Sequence, residues 1–159
     1  MPTIELATSI AAPVERVFDL SLSIDLHMHA ASSTGERAIA GVTSGLIGLG
    51  QEVTWRARHF GIWQTLTVRI IEHERPTHFC DTMLRGAFSS MVHHHYFDQT
   101  DSGTLMRDVF TFRSPLGILG HIADILFLTR YMKSFLLQRN HVIKTTAESD
   151  EWKKYIRDV

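Results

Sequence analysis

Three residues stand where chemistry is possible: His93, His95 and, one hairpin later, Asp108. His93 and His95 are two apart in a stretch of strand-like alternation. Their rings therefore share a face, about 6.5 Å apart along the strand, while His94 points the other way, toward solvent. Asp108 has the parity of Met106, Phe110 and Phe112, an odd position for a carboxylate. An unpaired charge in an apolar interior is very costly, so such a carboxylate needs a partner, and an imidazole supplies one. If the loop Asp98–Gly103 closes simply and pairs Phe97 with Thr104, His93 faces Asp108. A two-residue slip puts His95 opposite it instead. Asp81, with the parity of Phe79 and Met83 on the preceding strand, is placed to join the same network.

This constellation supports three kinds of chemistry. It can be a structural hydrogen-bonded network that fixes the sheet. It can be a polar anchor in an apolar pocket, recognising one hydroxyl, carbonyl or carboxylate of a ligand. Or it can react: two histidines and a carboxylate suit non-haem iron or zinc, and a His-Asp pair suits general base work. No second ligand motif supports the metal reading, so no metal is assigned. His93, His95 and Asp108 are the candidate catalytic residues. Of the remaining histidines, His59 stands near a strand end, and His27 and His29 fall on different faces of a short helix. His121 and His141 are expected to be solvated or capping on the last helix, and His73 and His78 to be exposed beside Pro76. There is no phosphate-binding glycine motif, nucleophile elbow or paired-cysteine motif, and no cofactor is expected.

The elements that must position these residues follow from hydrophobic period. Ile4, Leu6, Thr8 and Ile10 share one face of a first strand. Pro13 suits the first turn of a helix, and a second short helix spans about Ile24 to Ala31. A strand over Glu36–Ala40 precedes a segment punctuated by Gly41, Gly45, Gly48 and Gly50, expected to be a mobile loop at a cavity mouth. From Glu52 the period is two: Val53, Trp55, Ala57 and His59 oppose Glu52, Thr54, Arg56 and Arg58. Strands follow over Trp63–His73, His78–Leu84, Ser89–Phe97 and Thr104–Arg113, joined by short connections. This is an antiparallel meander. After Ser114-Pro115, the residues Ile118, Ile122, Ile125, Met132, Phe135, Leu136 and Ile143 form an apolar stripe on a helix of about 30 residues, roughly 45 Å long. Arg130, Lys133, Arg139 and Lys144 are expected on its other side. Such a helix buries its stripe across the concave face of the sheet. Cys80 should lie on the opposite sheet face from Phe79 and Asp81, as a packed thiol.

The chain has 159 residues, 16 Lys plus Arg against 17 Asp plus Glu, ten histidines and one cysteine. Its length suits one domain, taken as residues 1–149 with a charged tail 150–159 that carries Trp152, Tyr155 and Ile156 at helical spacing. A net charge of -1 argues against general nucleic-acid binding. Cys80 cannot form an internal disulfide, which makes the cytoplasm the expected compartment. His121, Asp124 and Arg130 interrupt the most apolar stretch, so no stable membrane insertion is expected. An exposed edge at the first strand makes a homodimer possible.

Ala12-Pro13-Val14-Glu15-Arg16-Val17-Phe18-Asp19, the helix pair, the meander and the long last helix together resemble the SRPBCC superfamily, over about Ile4 to Ser149. This superfamily includes START lipid-transfer domains, the birch pollen allergen and polyketide cyclases. The stretches Val53–Gly61, Phe79-Cys80-Asp81, Gly86-Ala87-Phe88, His93–Phe97 and Ser114–Gly120 are similar to a bacterial ligand-binding subgroup of it. The resemblance implies an α+β helix-grip fold: a curved antiparallel sheet around a long C-terminal helix, with two short helices after the first strand. It also implies that His93, His95 and Phe97 face the interior, and that a cavity separates sheet from helix. The function expected on that basis is binding of a hydrophobic or aromatic small molecule, of lipid or polyketide type. The alternative is a cyclase or dehydratase using a His-Asp pair as acid and base. Expected ligand-binding residues are Trp55, His59, Phe79, Asp81, Met83, Met91, His93, His95, Phe97, Met106, Asp108, Phe110, Ile122 and Ile125.

Overall fold

A computed structural model describes residues 1–157. Seven strands form one antiparallel sheet: β1 (Thr3–Ile10), β2 (Arg37–Gly41), β3 (Glu52–His59), β4 (Ile62–Glu74), β5 (His78–Arg85), β6 (Ser90–Thr100) and β7 (Gly103–Arg113), in the order β1-β7-β6-β5-β4-β3-β2. Sequential hairpins from β2 to β7 make the meander, and β1 returns to pair with β7. Burial alternates strictly along β6 and β7, so one face of the sheet is covered and the other is wetter. The β3–β4 turn is Phe60-Gly61, both at positive φ, the geometry whose twist suits a two-residue hairpin.

Helices α1 (Val14–Ser21) and α2 (Ile24–Ala30) follow β1. Ser23 caps α2 by accepting from the Leu26 N–H, and Asp19 on α1 accepts two hydrogen bonds from Arg75 at 2.9 and 2.8 Å. The last helical element runs from α3 (Gly117–Ala123) through a π turn (Asp124–Leu128) into α4 (Thr129–Ala147). It lies over the covered face, with α4 packed on β1, α1 and α2. Trp152 and Ile156 are buried against the same core, and Arg16 sits 4.3 Å over the Trp152 ring, so the tail is docked as far as it is described. Asp158 and Val159 lie outside the described residues.

The π turn changes which side of the helix faces the sheet. Met132, Phe135, Leu136 and Ile143 point inward as the stripe predicts, but Ile118, Ile122 and Ile125 are exposed. A π turn inserts one extra residue and rotates everything before it by about 100°. Gly120 and Ala123 face inward instead, and Leu119 reaches the cavity while remaining 72% exposed. The expected ligand contacts at Ile122 and Ile125 are therefore corrected: both stand on the outer face. Two anchors hold the turn. The buried Asp124 carboxylate accepts from the Ser114 hydroxyl, and the Thr129 hydroxyl donates to the Asp124 carbonyl.

The glycine-rich segment is tethered rather than free. Ile24 N–H donates to the Gly45 carbonyl, Ile47 N–H to Leu22, and Gly50 N–H to Ile70, so the expected mobile loop is fixed at three points and buries Ile47. His73 and His78, expected to be exposed, are half-buried. His73 meets Phe18 edge-on, and His78 stacks on Tyr96 and His94 across the outer face of the sheet. His94 does point to that face, but it is half-buried in the stack rather than solvated. Cys80 shares the face, fully buried, and burial, with Asp81 and Glu72 nearby, pushes its thiol up to about 12.

Gly120 sets how closely α3 meets the chain that leaves β7. A Cβ there would lie 2.0 Å from the Pro115 carbonyl oxygen. Gly120→Ala should therefore displace α3 and lower stability by about 1–3 kcal/mol. An unchanged thermal unfolding midpoint would show that the contact is not required.

Candidate functional site

The β6–β7 hairpin pairs Thr100 with Gly103, tighter than the expected loop, so Phe97 faces Met106 and His95 faces Asp108. The slipped register is the observed one. Both histidines nevertheless reach the same carboxylate: His93 Nε2 is 2.9 Å and His95 Nδ1 3.1 Å from Asp108 Oδ1. His95 Nε2 lies 3.0 Å from Asp81 Oδ1, which brings Asp81 into the network. The helix contributes two further groups. Asn140 Nδ2 donates to Asp108 Oδ2 at 2.7 Å, and Arg139 Nη1 lies 3.4 Å from Asp108 Oδ1 and donates to the Asn140 side-chain oxygen at 3.0 Å. Arg139 was expected on the outer side of the helix. It is buried, because it stands three residues after Leu136 and seven after Met132, in phase with the stripe. That phase, with a buried carboxylate lacking a cation, was the available signal for it.

No buried side-chain nitrogen or oxygen among the described residues lacks a hydrogen-bond partner. His95 stands between the two carboxylates, with Nε2 toward Asp81 and Nδ1 toward Asp108, and Arg139 Nη2 lies 3.5 Å from the same Nδ1. Burial pushes both carboxyls up, but hydrogen bonds and charge from the histidines and Arg139 outweigh it. Asp81 sits below the usual carboxylate range and Asp108 well below it. Burial and the adjacent His95 push His93 down to about 4, against the opposing pull of Asp108.

A cavity of about 420 Å³ lies between this cluster, the sheet and the helix. Of the expected ligand contacts, Trp55, His59, Phe79, Asp81, Met91, His93, His95 and Phe110 line it. Asp108 lies behind the two histidines, outside the lining. Phe97 and Met106 are buried in the core, Phe97 against Phe18, and half-buried Met83 packs at the core margin; none of the three reaches the cavity. Arg139 does reach it, as does a second polar group absent from the expectations: His27, Glu36 and Tyr131. His27 Nε2 is 2.5 Å from Glu36 Oε1, with its ring stacked 4.2 Å from Trp55. His59 Nδ1 is 2.6 Å from the Tyr131 hydroxyl. Burial lowers the His59 pKa, against the pull of Glu36. The rest of the wall is largely aliphatic and aromatic, including Val68, Ile70, Met132, Phe135 and Leu136.

Asp81, His93 and His95 hold donor atoms within 4.8 Å of one another, the spacing a divalent cation needs, and so do Glu72, His78 and His94 on the outer face. Beside the first group Arg139 already stands 3.4 Å from Asp108 and 3.5 Å from His95, so a dication there would face a fixed positive charge.

No protein-family model and no curated protein matches the chain. Solved structures do. The protein TTHA0849 from Thermus thermophilus is 15% identical, with 92% of this chain and 99% of that one covered at a TM-score of 0.71. Ginseng major latex-like protein 151 from Panax ginseng is 15% identical over 93% and 98% of the two chains, TM-score 0.68. Ara h 8.0201 is 14% identical over 91% and 98%, TM-score 0.62. The chain has the helix-grip fold. At such identities the likeness establishes architecture alone, and the character of the cavity rests on this chain's own side chains.

The cluster makes stability depend on pH with a definite sign. Below about 6.5 an unfolded His93 binds a proton that the folded one refuses until about 4. Acid therefore favours the unfolded chain, with His93 alone accounting for about 3 kcal/mol lost between those values. Urea unfolding at neutral pH and near the lower value measures the loss. An NMR titration placing His93 at an ordinary imidazole pKa in the folded protein would refute it.

Proposed function

We propose that this helix-grip protein binds a hydrophobic or aromatic small molecule, of lipid or polyketide type, in the cavity between sheet and helix. The observation that carries this reading is the cavity itself: about 420 Å³, mainly apolar, with a charged, hydrogen-bonded cluster at its inner end. That combination suits a ligand whose body is held by apolar burial, at about 25 cal/mol per Å² before ordering costs. One polar group of the ligand would be oriented by Asp81, His93, His95 and Arg139. A scaffold with a filled interior would lack such a volume, which lies within the range of ordinary ligand pockets.

Acid–base catalysis of the cyclase or dehydratase kind is less well served. An effective general base has a pKa near the operating pH. Both carboxylates are held low, and His93 is pushed to about 4, so all three are weak bases near neutrality. A reducing compartment such as the cytoplasm suits a chain whose one cysteine is buried and unpaired. The sheet edges at β1 and β2 leave room for a homodimer by strand addition.

Anilinonaphthalenesulfonate fluorescence and native mass spectrometry test the reading. The folded wild type should bind one probe per chain, and Ala57→Trp, which fills the cavity from β3, should abolish binding without loss of secondary structure. Asp81→Asn removes a negative charge next to Arg139, so it should tighten a fatty-acid carboxylate roughly tenfold and leave the matching alkane unchanged. Probe binding that survives Ala57→Trp would overturn the cavity assignment, and equal effects on acid and alkane would overturn the polar anchor.

A further inference from the structure

The outer face produced by the π turn has no counterpart inside the fold. Leu116, Ile118, Leu119, Ile122, Ile125, Leu126 and Phe127 are all between 48% and 81% exposed, within twelve consecutive residues. Single exposed apolar side chains are ordinary on protein surfaces, whereas a contiguous group of this size marks a contact. Two of them, Leu116 and Leu119, also line the cavity, together with Phe60 at the β3–β4 turn, which is 61% exposed and 4.6 Å from the Tyr131 ring. The patch therefore adjoins the cavity mouth.

Charge is distributed just as unevenly. Between Val109 and Ala147 the only acidic residue is Asp124, which is buried on Ser114. Arg113 before the patch, and Arg130 and Lys133 after it, are exposed. Arg130 and Lys133 stand three apart on one side of α4 just beyond Leu126 and Phe127, so exposed basic residues follow the exposed apolar ones along the chain. We propose that this face docks on an anionic lipid bilayer, with the apolar side chains entering the headgroup boundary and the basic ones at the phosphate level. This is the pattern of a helix lying in the interface plane. No helix among the described residues is long and apolar enough to cross a membrane, so the contact is peripheral.

A second copy of the chain fits the face less well. A two-fold contact would set Arg130 and Lys133 near their own counterparts, and the segment Val109–Ala147 offers no exposed acid to pair with them. It would also close the cavity mouth. A bilayer complements both features: it supplies negative charge, and it places the mouth where a membrane-soluble ligand can enter without crossing water.

The inference rests on the ligand-binding reading for its purpose, and the two fail separately. Full-length protein should co-sediment with phosphatidylcholine vesicles containing phosphatidylserine, less with phosphatidylcholine alone, and less as salt rises. Leu126→Asp and Phe127→Asp, both outside the cavity lining, should each weaken vesicle binding roughly tenfold or more. Anilinonaphthalenesulfonate affinity and the unfolding midpoint should stay unchanged. Arg130→Glu with Lys133→Glu should remove the preference for phosphatidylserine. Absence of co-sedimentation, or binding indifferent to these substitutions, would overturn the proposal while leaving cavity binding intact. So would a dimer in solution that Phe127→Asp dissociates, in protein that ignores vesicles.

Discussion

Asp108 carries a full negative charge into the centre of the protein, and the surrounding structure answers that one constraint. Its carboxylate is 1% exposed, on a strand whose inward neighbours are Met106, Phe110 and Phe112. Coulomb attraction and hydrogen bonds must replace the water it has lost. Two come from β6, through His93 and His95, and two from α4, through Asn140 and Arg139. The carboxylate thereby cross-links the sheet to the helix that covers it, and it fixes the rotation of α4 as apolar contacts alone would not. Apolar packing is tolerant of small rotations, whereas a charge-assisted hydrogen bond is directional.

Fixing α4 at its C-terminal half leaves the N-terminal half to be placed by other means. Gly120 under the Pro115 carbonyl and Asp124 on Ser114 hold α3 to the end of β7, and the π turn absorbs the mismatch between these two attachments. One extra residue in one turn turns Gly120 and Ala123 toward the sheet in place of bulkier isoleucines. Small side chains at that point leave volume unfilled. The cavity is thus a consequence of two anchors on one helix that are out of phase, with the larger side chains turned to the outside.

This arrangement explains what sequence could and could not reveal. Strands β3 to β7 were legible because period-two burial is local and strong, from Val53, Trp55 and Ala57 through to Phe110 and Phe112. The β6–β7 register was not settled, because Asp98, Gln99 and Thr100 are polar on both faces and read as loop while extending the ladder to Gly103. Helix phase on the N-terminal side of Leu128 was lost for a different reason. A π turn leaves no residue signature of its own, and Ile118, Ile122 and Ile125 keep perfect α-helical phase with a stripe they no longer share. Arg139 has the residue type of a surface cation, but its stem packs inward and its charge meets Asp108. His27 and Glu36 escaped for want of any pattern. They belong to α2 and to the entry of β2, and only the closure of the sheet brings them together beside Trp55.

The two ends of the cavity differ in kind, and the difference has a direction. Along the helix, Leu119 at the mouth and Arg139 at the inner end are about 30 Å apart at 1.5 Å per residue. The mouth carries the exposed apolar side chains Leu116, Leu119 and Phe60, the inner end holds every buried charge of the main cluster, and elsewhere the wall carries the pairs His59–Tyr131 and His27–Glu36. A molecule with one polar group and an apolar body is favoured with that group on the main cluster rather than at the apolar rim. The reverse orientation would leave the ligand's polar group among apolar side chains, at a cost of roughly 2–7 kcal/mol. Because the cluster already satisfies its own hydrogen bonds, an incoming group gains only what exceeds the water or neighbour it displaces. Selectivity would then lie in that small difference at the inner end, and affinity in the apolar wall between.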